Sequence, residues 1–275
     1  MIRRVVKYIY YSCFLWYIRC IKTVKGKVMY KFFVKEEQIK DNKINIIGED
    51  VNHIKNVLRL EAGESICICN KDASVSYMCK ILGFNNNIVE CKILEAVLDT
   101  TEANTYIHIF QGLPKSDKLE FIIEKCTEIG VKEITPVFMR RSIVKLDEKD
   151  KFKKQERWQK IAEVAAKQSK RDNILKVNNV INFQNIFEKV EDYDILLVAY
   201  EEEKENTVKK VLSQLKEKKS LKVAVIIGPE GGIDENEINL CKENNFTSVT
   251  LGKRILRTET APLVISSNIL YELED

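Results

Sequence analysis

The sequence predicts an α/β protein with a smaller β-rich module in front of it. Three observations carry that reading. Residues 29–98 alternate apolar and polar side chains in short runs, whereas from 104 onward strand-like runs alternate with stretches of helical period. The runs at 195–200 and 223–227 are apolar without a break, as parallel strands covered on both faces require. Glycine-rich loops follow 223–227 and the later strand at 248–251, and α/β sheets bind ligands beyond the carboxyl ends of their strands.

In the first module strands are predicted at 31–34, 44–47, 65–69, 75–81 and 88–94, with the period of two clearest in SICIC and IVECKIL. Asn85, Asn86 and Asn87, after Gly83, supply a turn able to take positive φ. A helix over 51–60 places Val51, Ile54, Val57 and Leu58 inward and leaves His53, Lys55 and Arg59 in solvent. Five short strands and one small helix make a compact barrel, followed by a linker near 98–103. The second module opens with a strand at 106–110. A helix over 118–129 turns Leu119, Ile122, Ile123, Cys126 and Ile129 inward, and Gly130 suits the position just past its end. A strand at 134–137 and a helix over 157–168, striped by Trp158, Ile161, Ala162 and Ala165, come next. Helices at 205–218 and 234–244, a strand at 248–251 and a last helix over 261–273 complete the pattern. Pro262 sits in that helix's first turn, where its missing N–H is harmless.

The chain has 275 residues, 45% hydrophobic and 31% charged, which excludes wholesale disorder. Its 45 basic and 41 acidic residues give +4, a mild invitation to a nucleic-acid partner. The first 28 residues hold seven of the bases and no acid, so residues 29–275 carry −3. The basic sign belongs to the leader. Its uncharged run at 8–18 has eleven residues, against the ~20 a spanning helix needs, and no small-residue cleavage site follows. Three readings of the leader stand: an extension outside the fold, a targeting or membrane-surface segment, or a first strand. The eight cysteines (13, 20, 67, 69, 79, 91, 126 and 241) form no CxxC pair, and only His53 and His108 could complete a metal site, so no metal is expected. Cys67, Cys69, Cys79 and Cys91 fall in strand-like runs, where a reduced thiol acts as a small hydrophobe. That fits a reducing, cytoplasmic compartment.

Three loops follow strand ends in the second module: 199–201 (AYE), 228–232 (GPEGG) and 251–261 (LGKRILRTETA). Four of the chain's ten glycines sit in the last two, where they let backbone approach a ligand closely. GxxxxGK[ST], GxGxxG and GxSxG are all absent, which sets aside P-loop, dinucleotide-binding and serine-hydrolase readings. What remains is a cleft of backbone loops beside a dense Arg/Glu/Thr cluster.

QGLPKSDKLEFIIEKCTEIGV (111–131), RRSIV (140–144), RWQKIAEVAAKQSKR (157–171), IIGPEGGIDENEI (226–238) and LGKRILRTETA (251–261) occur in this order. Together they resemble the RsmE family, the 16S ribosomal RNA uracil-N3 methyltransferases of the knotted SPOUT superfamily. HIKNVLRLEAGE (53–64) is similar to the family's N-terminal segment. The resemblance covers 29–275 and departs at Leu175, where proline is usual, and at Ser116, where glycine is common. It implies a PUA-like β-barrel over 29–98 that binds RNA, a SPOUT-type trefoil-knotted parallel sheet over 104–275, and S-adenosylmethionine bound in the knot. It also implies a homodimer acting on 16S ribosomal RNA, within the small subunit and away from membranes. By the family pattern the cofactor is wrapped by Leu197, Val198, Ala199 and Tyr200 in the first loop. Ile227, Gly228, Pro229, Glu230, Gly231 and Gly232 serve in the second. Leu251, Gly252, Ile255, Leu256, Arg257, Thr258 and Ala261 serve in the third.

Methylating N3 of uracil requires loss of the N3 proton and alignment of that nitrogen with the methyl donor. Charge developing on the uracil carbonyl oxygens needs fixed donors, for which Arg257 is the first candidate and Arg254 the second. Glu259 or Glu230 is the candidate base; the plainer alternative is that both only pair with Arg254 and Arg257 to fix the loop. Because 29–275 is net acidic, RNA must be met by local patches: Lys55 with Arg59, Lys115 with Lys118, Arg140 and Arg141 with Lys145, and Lys170 and Arg171 with Lys167. Two rival functions remain at this level: a non-catalytic RNA-binding protein, and a knotted methyltransferase acting on another RNA site.

Overall fold

The computed structural model describes residues 30–71, 73, 75–97, 101–215 and 220–274. The leader at 1–28, with Cys13 and Cys20, lies outside the described residues. A curled six-stranded sheet forms the first module from β1 (Lys31–Val34), β2 (Ile39–Lys40), β3 (Lys43–Ile46), β4 (Ser65–Asn70), β5 (Val75–Asn85) and β6 (Ile88–Val97). Its order is β1-β4-β5-β6-β3-β2, antiparallel except for β1 beside β4. The period of two sends Phe32, Val34, Ile44, Ile46, Ile66, Ile68, Cys79, Ile81, Val89 and Cys91 into one core. Burial pushes the Cys79 and Cys91 thiols up to about 12, so both stay protonated and pack as hydrophobes. The β5–β6 turn takes φ of 41° at Asn86 and 66° at Asn87.

The helix expected over 51–60 is shorter and wider. α1 (Glu49–Asn52) runs into a π-type turn, His53–Val57, closed by Leu58 N–H to His53 O at 2.9 Å. The extra residue per turn keeps Val51 and Ile54 in the core but swings Val57 out to 63% exposure, correcting its inward assignment.

The second module is an all-parallel sheet of β7 (Tyr106–Gly112), β8 (Glu133–Phe138), β9 (Lys176–Val177), β10 (Ile181–Asn182), β11 (Ile195–Ala199), β12 (Lys222–Ile227) and β13 (Thr247–Val249). The order is β10-β8-β7-β12-β11-β13, with β9 also on β8. Alternate residues of β12 enter opposite cores, which is why its sequence is continuously apolar. Val223, Val225 and Ile227 meet α2 (Lys118–Ile129), α3 (Glu148–Gln168), α4 (Val208–Leu212) and α6 (Ala261–Leu273). Ala224 and Ile226 meet α5 (Glu235–Glu243) and the 3-10 segment Phe183–Lys189. α3 begins nine residues before its expected start, because Asp147 caps it by accepting from Asp150 N–H at 2.7 Å while its first turns carry charge rather than an apolar stripe. The helix expected over 205–218 starts late, as α4 followed by a 3-10 turn at Ser213–Leu215, and its last part at 216–218 lies outside the described residues.

After β13 the chain runs beside the β11 loop, where Thr207 bridges Thr250, and past the β12 loop, where Thr258 Oγ1 donates to Gly228 O at 2.7 Å. It then re-enters the helical layer as α6, packed on α2 and α4. The last loop therefore touches both neighbouring loops at the strand ends before the chain returns to the helices.

A polar seam joins the modules. Asp172 accepts from Lys31 Nζ (2.7 Å), Ser76 Oγ (2.6 Å) and the Thr101 amide (2.8 Å). Beside it, Glu102 accepts from Arg171 Nη2 (2.5 Å) and Lys132 Nζ. Burial alone would raise the Glu102 carboxyl, but the two cations bring it down to about 2. His108 is enclosed on β7, its ring nitrogens engaged by Tyr193 Oη (2.6 Å) and Thr135 Oγ1 (2.7 Å), and burial pulls it down to about 4. An unfolded histidine takes its proton near ~6.5. Stability therefore falls as pH drops from about 6.5 to 4 through His108. It falls further from about 4.5 to 2 as Glu102 loses its ion pairs. Urea midpoints measured against pH should show both stages, and His108→Gln should remove the upper one alone.

Candidate active site: the cleft between three loops

The loops after β11, β12 and β13 enclose a cleft of about 340 Å³ at the carboxyl ends of the strands, within the range of small-molecule sites. Its walls are the three loops and Lys118 at the start of α2. Two glycines are required by geometry. A Cβ on Gly112 would lie 2.6 Å from Pro229 and from Met139 Sδ, so only glycine lets the end of β7 seat against the β12 loop. Gly232 has φ +72°, and a Cβ there would strike the Glu201 carboxylate.

Thr258 pins the third loop to the second. Its hydroxyl donates to Gly228 O and accepts from Gln111 Nε2 at 3.0 Å, with Gln111 fully buried. Gln111 Oε1 is buried with no hydrogen-bond partner among the described residues, an acceptor held beside the loops. At the start of α2, Lys118 Nζ lies 3.0 Å from Glu230 and 3.3 Å from Glu259. Burial would raise Glu230, but its own amide and Lys118 hold its carboxyl below the usual range. The expectation that these glutamates pair with Arg254 and Arg257 is therefore corrected: Lys118 takes both. Arg254 and Arg257 line the cleft, are exposed, and have no ion pair among the described residues.

Of the expected cofactor residues, Ala199, Tyr200, Ile227, Gly228, Pro229, Glu230 and Gly232 line the cleft, as do Leu251, Gly252, Ile255, Leu256, Arg257, Thr258 and Ala261. Leu197 and Val198 do not, because both are fully buried inside β11, facing opposite cores. Gly231 turns to the outside of its loop, where its carbonyl accepts from Arg141 Nη1 at 3.1 Å. Lys118, Glu201, Thr250 and Lys253 join the lining. Lys118 had a local signal: a cation in the first turn of a helix opposes the dipole and needs acidic partners.

The expected RNA contacts divide. Lys55, Arg59, Lys115 and Lys170 are exposed. Arg140 and Arg141 brace the β12 loop, Arg140 Nη1 reaching Asp234 at 3.1 Å. Lys118 belongs to the cleft. Arg171 is a correction: only 4% exposed, it donates to Glu102 and to the carbonyls of Thr127 (3.0 Å) and Val131 (2.7 Å), so it cannot meet RNA. Ser116, where glycine is common in the resembling family, has φ +56°, which supplies the reason.

A family model described as an RNA methyltransferase domain matches residues 101–270, and one described as an RNA methyltransferase PUA domain matches 46–94. These matches, with the parallel sheet and its cleft, define the class: an RNA methyltransferase with an attached PUA domain. The chain is 38% identical over 253 residues to the ribosomal RNA small subunit methyltransferase E of Bacillus subtilis, covering 90% of this chain and 98% of the relative. The crystal structure of a ribosomal RNA small subunit methyltransferase E from Neisseria gonorrhoeae, bound to S-adenosyl methionine, superposes with a TM-score of 0.77 at 28% identity, covering 89% of this chain and 98% of the other. A putative methyltransferase from Legionella pneumophila, also in complex with that cofactor, gives 0.76 at 26% identity over the same shares. The chain belongs to the ribosomal RNA small subunit methyltransferase E family, RsmE.

Proposed function

We propose that this chain uses S-adenosylmethionine to methylate N3 of a specific uridine in 16S ribosomal RNA. The observation that carries it is a cleft enclosed by three loops, with two arginines along its wall that have no ion pair among the described residues. The donor set fits the cofactor: apolar Ile227, Leu251, Leu256 and Ala261 suit a nucleoside base, loop amides and carbonyls suit its polar edges, and Glu201 and Glu230 suit its cationic groups. When bound, S-adenosylmethionine supplies an electrophilic methyl group on a sulfonium. Arg257, with Arg254 second, holds the uracil carbonyl oxygens and stabilises the charge that develops as N3 loses its proton. Glu259 is the first candidate base: both glutamates meet Lys118, but Glu230 also accepts from the Lys115 amide and its carboxyl is held below the usual range, which weakens it as a base. We assign 29–98 to RNA binding and 104–275 to methyl transfer. The homodimer rests on the family pattern, and the second module leaves Phe121, Ile143 and Tyr271 exposed. Among the described residues no helix is long and apolar enough to cross a membrane, and buried free thiols suit the cytoplasm.

Calorimetry with S-adenosylmethionine, followed by mass mapping of 16S ribosomal RNA from a deletion strain, tests this. Absence of cofactor binding leaves only an RNA-binding role, and a methyl lost from another position assigns another site. Gly232→Ala forces an L-residue to φ +72°, a strain of about 1–2 kcal/mol. Where the loop keeps its path the unfolding free energy should fall by that amount, and where it relaxes cofactor affinity should drop by up to about tenfold; urea unfolding beside calorimetry separates the two.

A further inference from the structure

In the register of the first sheet Lys40 stands opposite Lys43, Lys43 opposite Lys92, and Lys92 opposite Lys80. Four lysines thus form one row across β2, β3, β6 and β5, about 14 Å long at ordinary strand spacing. All four are exposed, because their strand neighbours Ile39, Ile44, Cys91, Cys79 and Ile81 take the core side. None has an ion pair among the described residues. The next row on this face holds Asn45 opposite a single acid, Glu90.

Like charges set directly opposite one another destabilise a sheet. Lysines on edge strands block unwanted pairing, and β2 is an edge. β5 and β6 are paired on both sides, so edge protection does not account for Lys80 and Lys92. The row also shares its face with the seam. Along β4 and β5 the facing pairs run Cys69 with Ser76, Cys67 with Met78, then Ser65 with Lys80. Cys67 and Cys69 pack on Ala166 of α3, and Ser76 donates to Asp172. The lysines begin one same-face step, about 7 Å, beyond the pair that touches the methyltransferase module.

We propose that this row is a track for the phosphate backbone of the substrate RNA, leading along the sheet face toward the methyltransferase module. The inference rests on the rRNA methyltransferase reading and adds the surface that holds the substrate. A polyanion is the occupant because only repeated negative charge can neutralise a series of unpaired cations one strand apart. An apolar peptide or a single carboxylate would leave most of the row uncompensated.

The test is filter binding of 16S ribosomal RNA fragments to the full chain across salt concentrations. One variant carries Lys40→Gln, Lys43→Gln, Lys80→Gln and Lys92→Gln together; a second carries arginine at the same four positions. Loss of four phosphate contacts should lower the slope of log affinity against log salt by about 3 and weaken low-salt binding at least tenfold. The arginine variant should keep both. The glutamine variant should melt at or above the wild-type temperature, since repulsion is relieved, and bind S-adenosylmethionine as wild type does. A wild-type salt slope in the glutamine variant overturns the track. A lowered melting temperature also overturns it, because the lysines would then be holding the fold. A wild-type chain that fails to bind S-adenosylmethionine overturns the methyltransferase reading instead, while the salt slopes still decide the track.

Discussion

An Arg257→Ala protein is expected to turn over about 10²–10³-fold more slowly while binding S-adenosylmethionine within a few-fold of wild type. The guanidinium lines the cleft without an acidic partner among the described residues, so its charge is available to a ligand. A donor already fixed where negative charge develops contributes more in a water-poor cleft than the same donor in bulk solvent. Arg257→Lys should recover only part of the rate, because a single ammonium lacks the planar fork that can span two oxygens. Arg254→Ala should cost less, with its loss falling more on the KM for RNA. Single-turnover kinetics with saturating cofactor separate these outcomes. Near-normal turnover by the alanine variant, with cofactor bound, would remove Arg257 from the chemistry and move the search to Lys118.

Legibility in the sequence followed the range of the interactions. α2 and α6 lie where their stripes and end signals placed them, because Gly130 and Pro262 act within one turn. β9 and β10 escaped notice, since two-residue strands have no period to read. The three loops were visible as glycines after apolar runs, but their mutual contacts were not. Lys118 reaches Glu230 and Glu259 across more than a hundred residues, so its charge looked like an RNA contact from sequence alone. Arg171 misled for the same reason: charge patterning does not distinguish a solvated cation from one buried against a glutamate 69 residues away. The lysine row was invisible for a different reason, because 40, 43, 80 and 92 become neighbours only once strand register is known. The knot itself came from the family resemblance, since periodicity carries no information about threading.

Arg171→Met should lower stability by about 3–5 kcal/mol, the usual consequence of removing one partner from a buried ion pair. Arg171 and Glu102 are 4% and 6% exposed, and the carboxylate would lose its guanidinium partner while keeping Lys132. The Thr127 and Val131 carbonyls would lose their guanidinium donor as well. Arg171→Met combined with Glu102→Gln should recover part of the loss, because the stranded charge is removed, although Lys132 then loses its partner in turn. Effects on function should be uneven. Glu102 also accepts from the amides of Asp172 and Asn173, and Asp172 is where Lys31 and Ser76 of the first module attach. Loosening Arg171 therefore loosens the mount of the first module while leaving the cofactor loops in place. At a temperature where the variant remains folded, kcat/KM for RNA should fall severalfold with S-adenosylmethionine affinity unchanged. Equal losses in both would show that the seam supports the whole second module rather than the placement of its substrate.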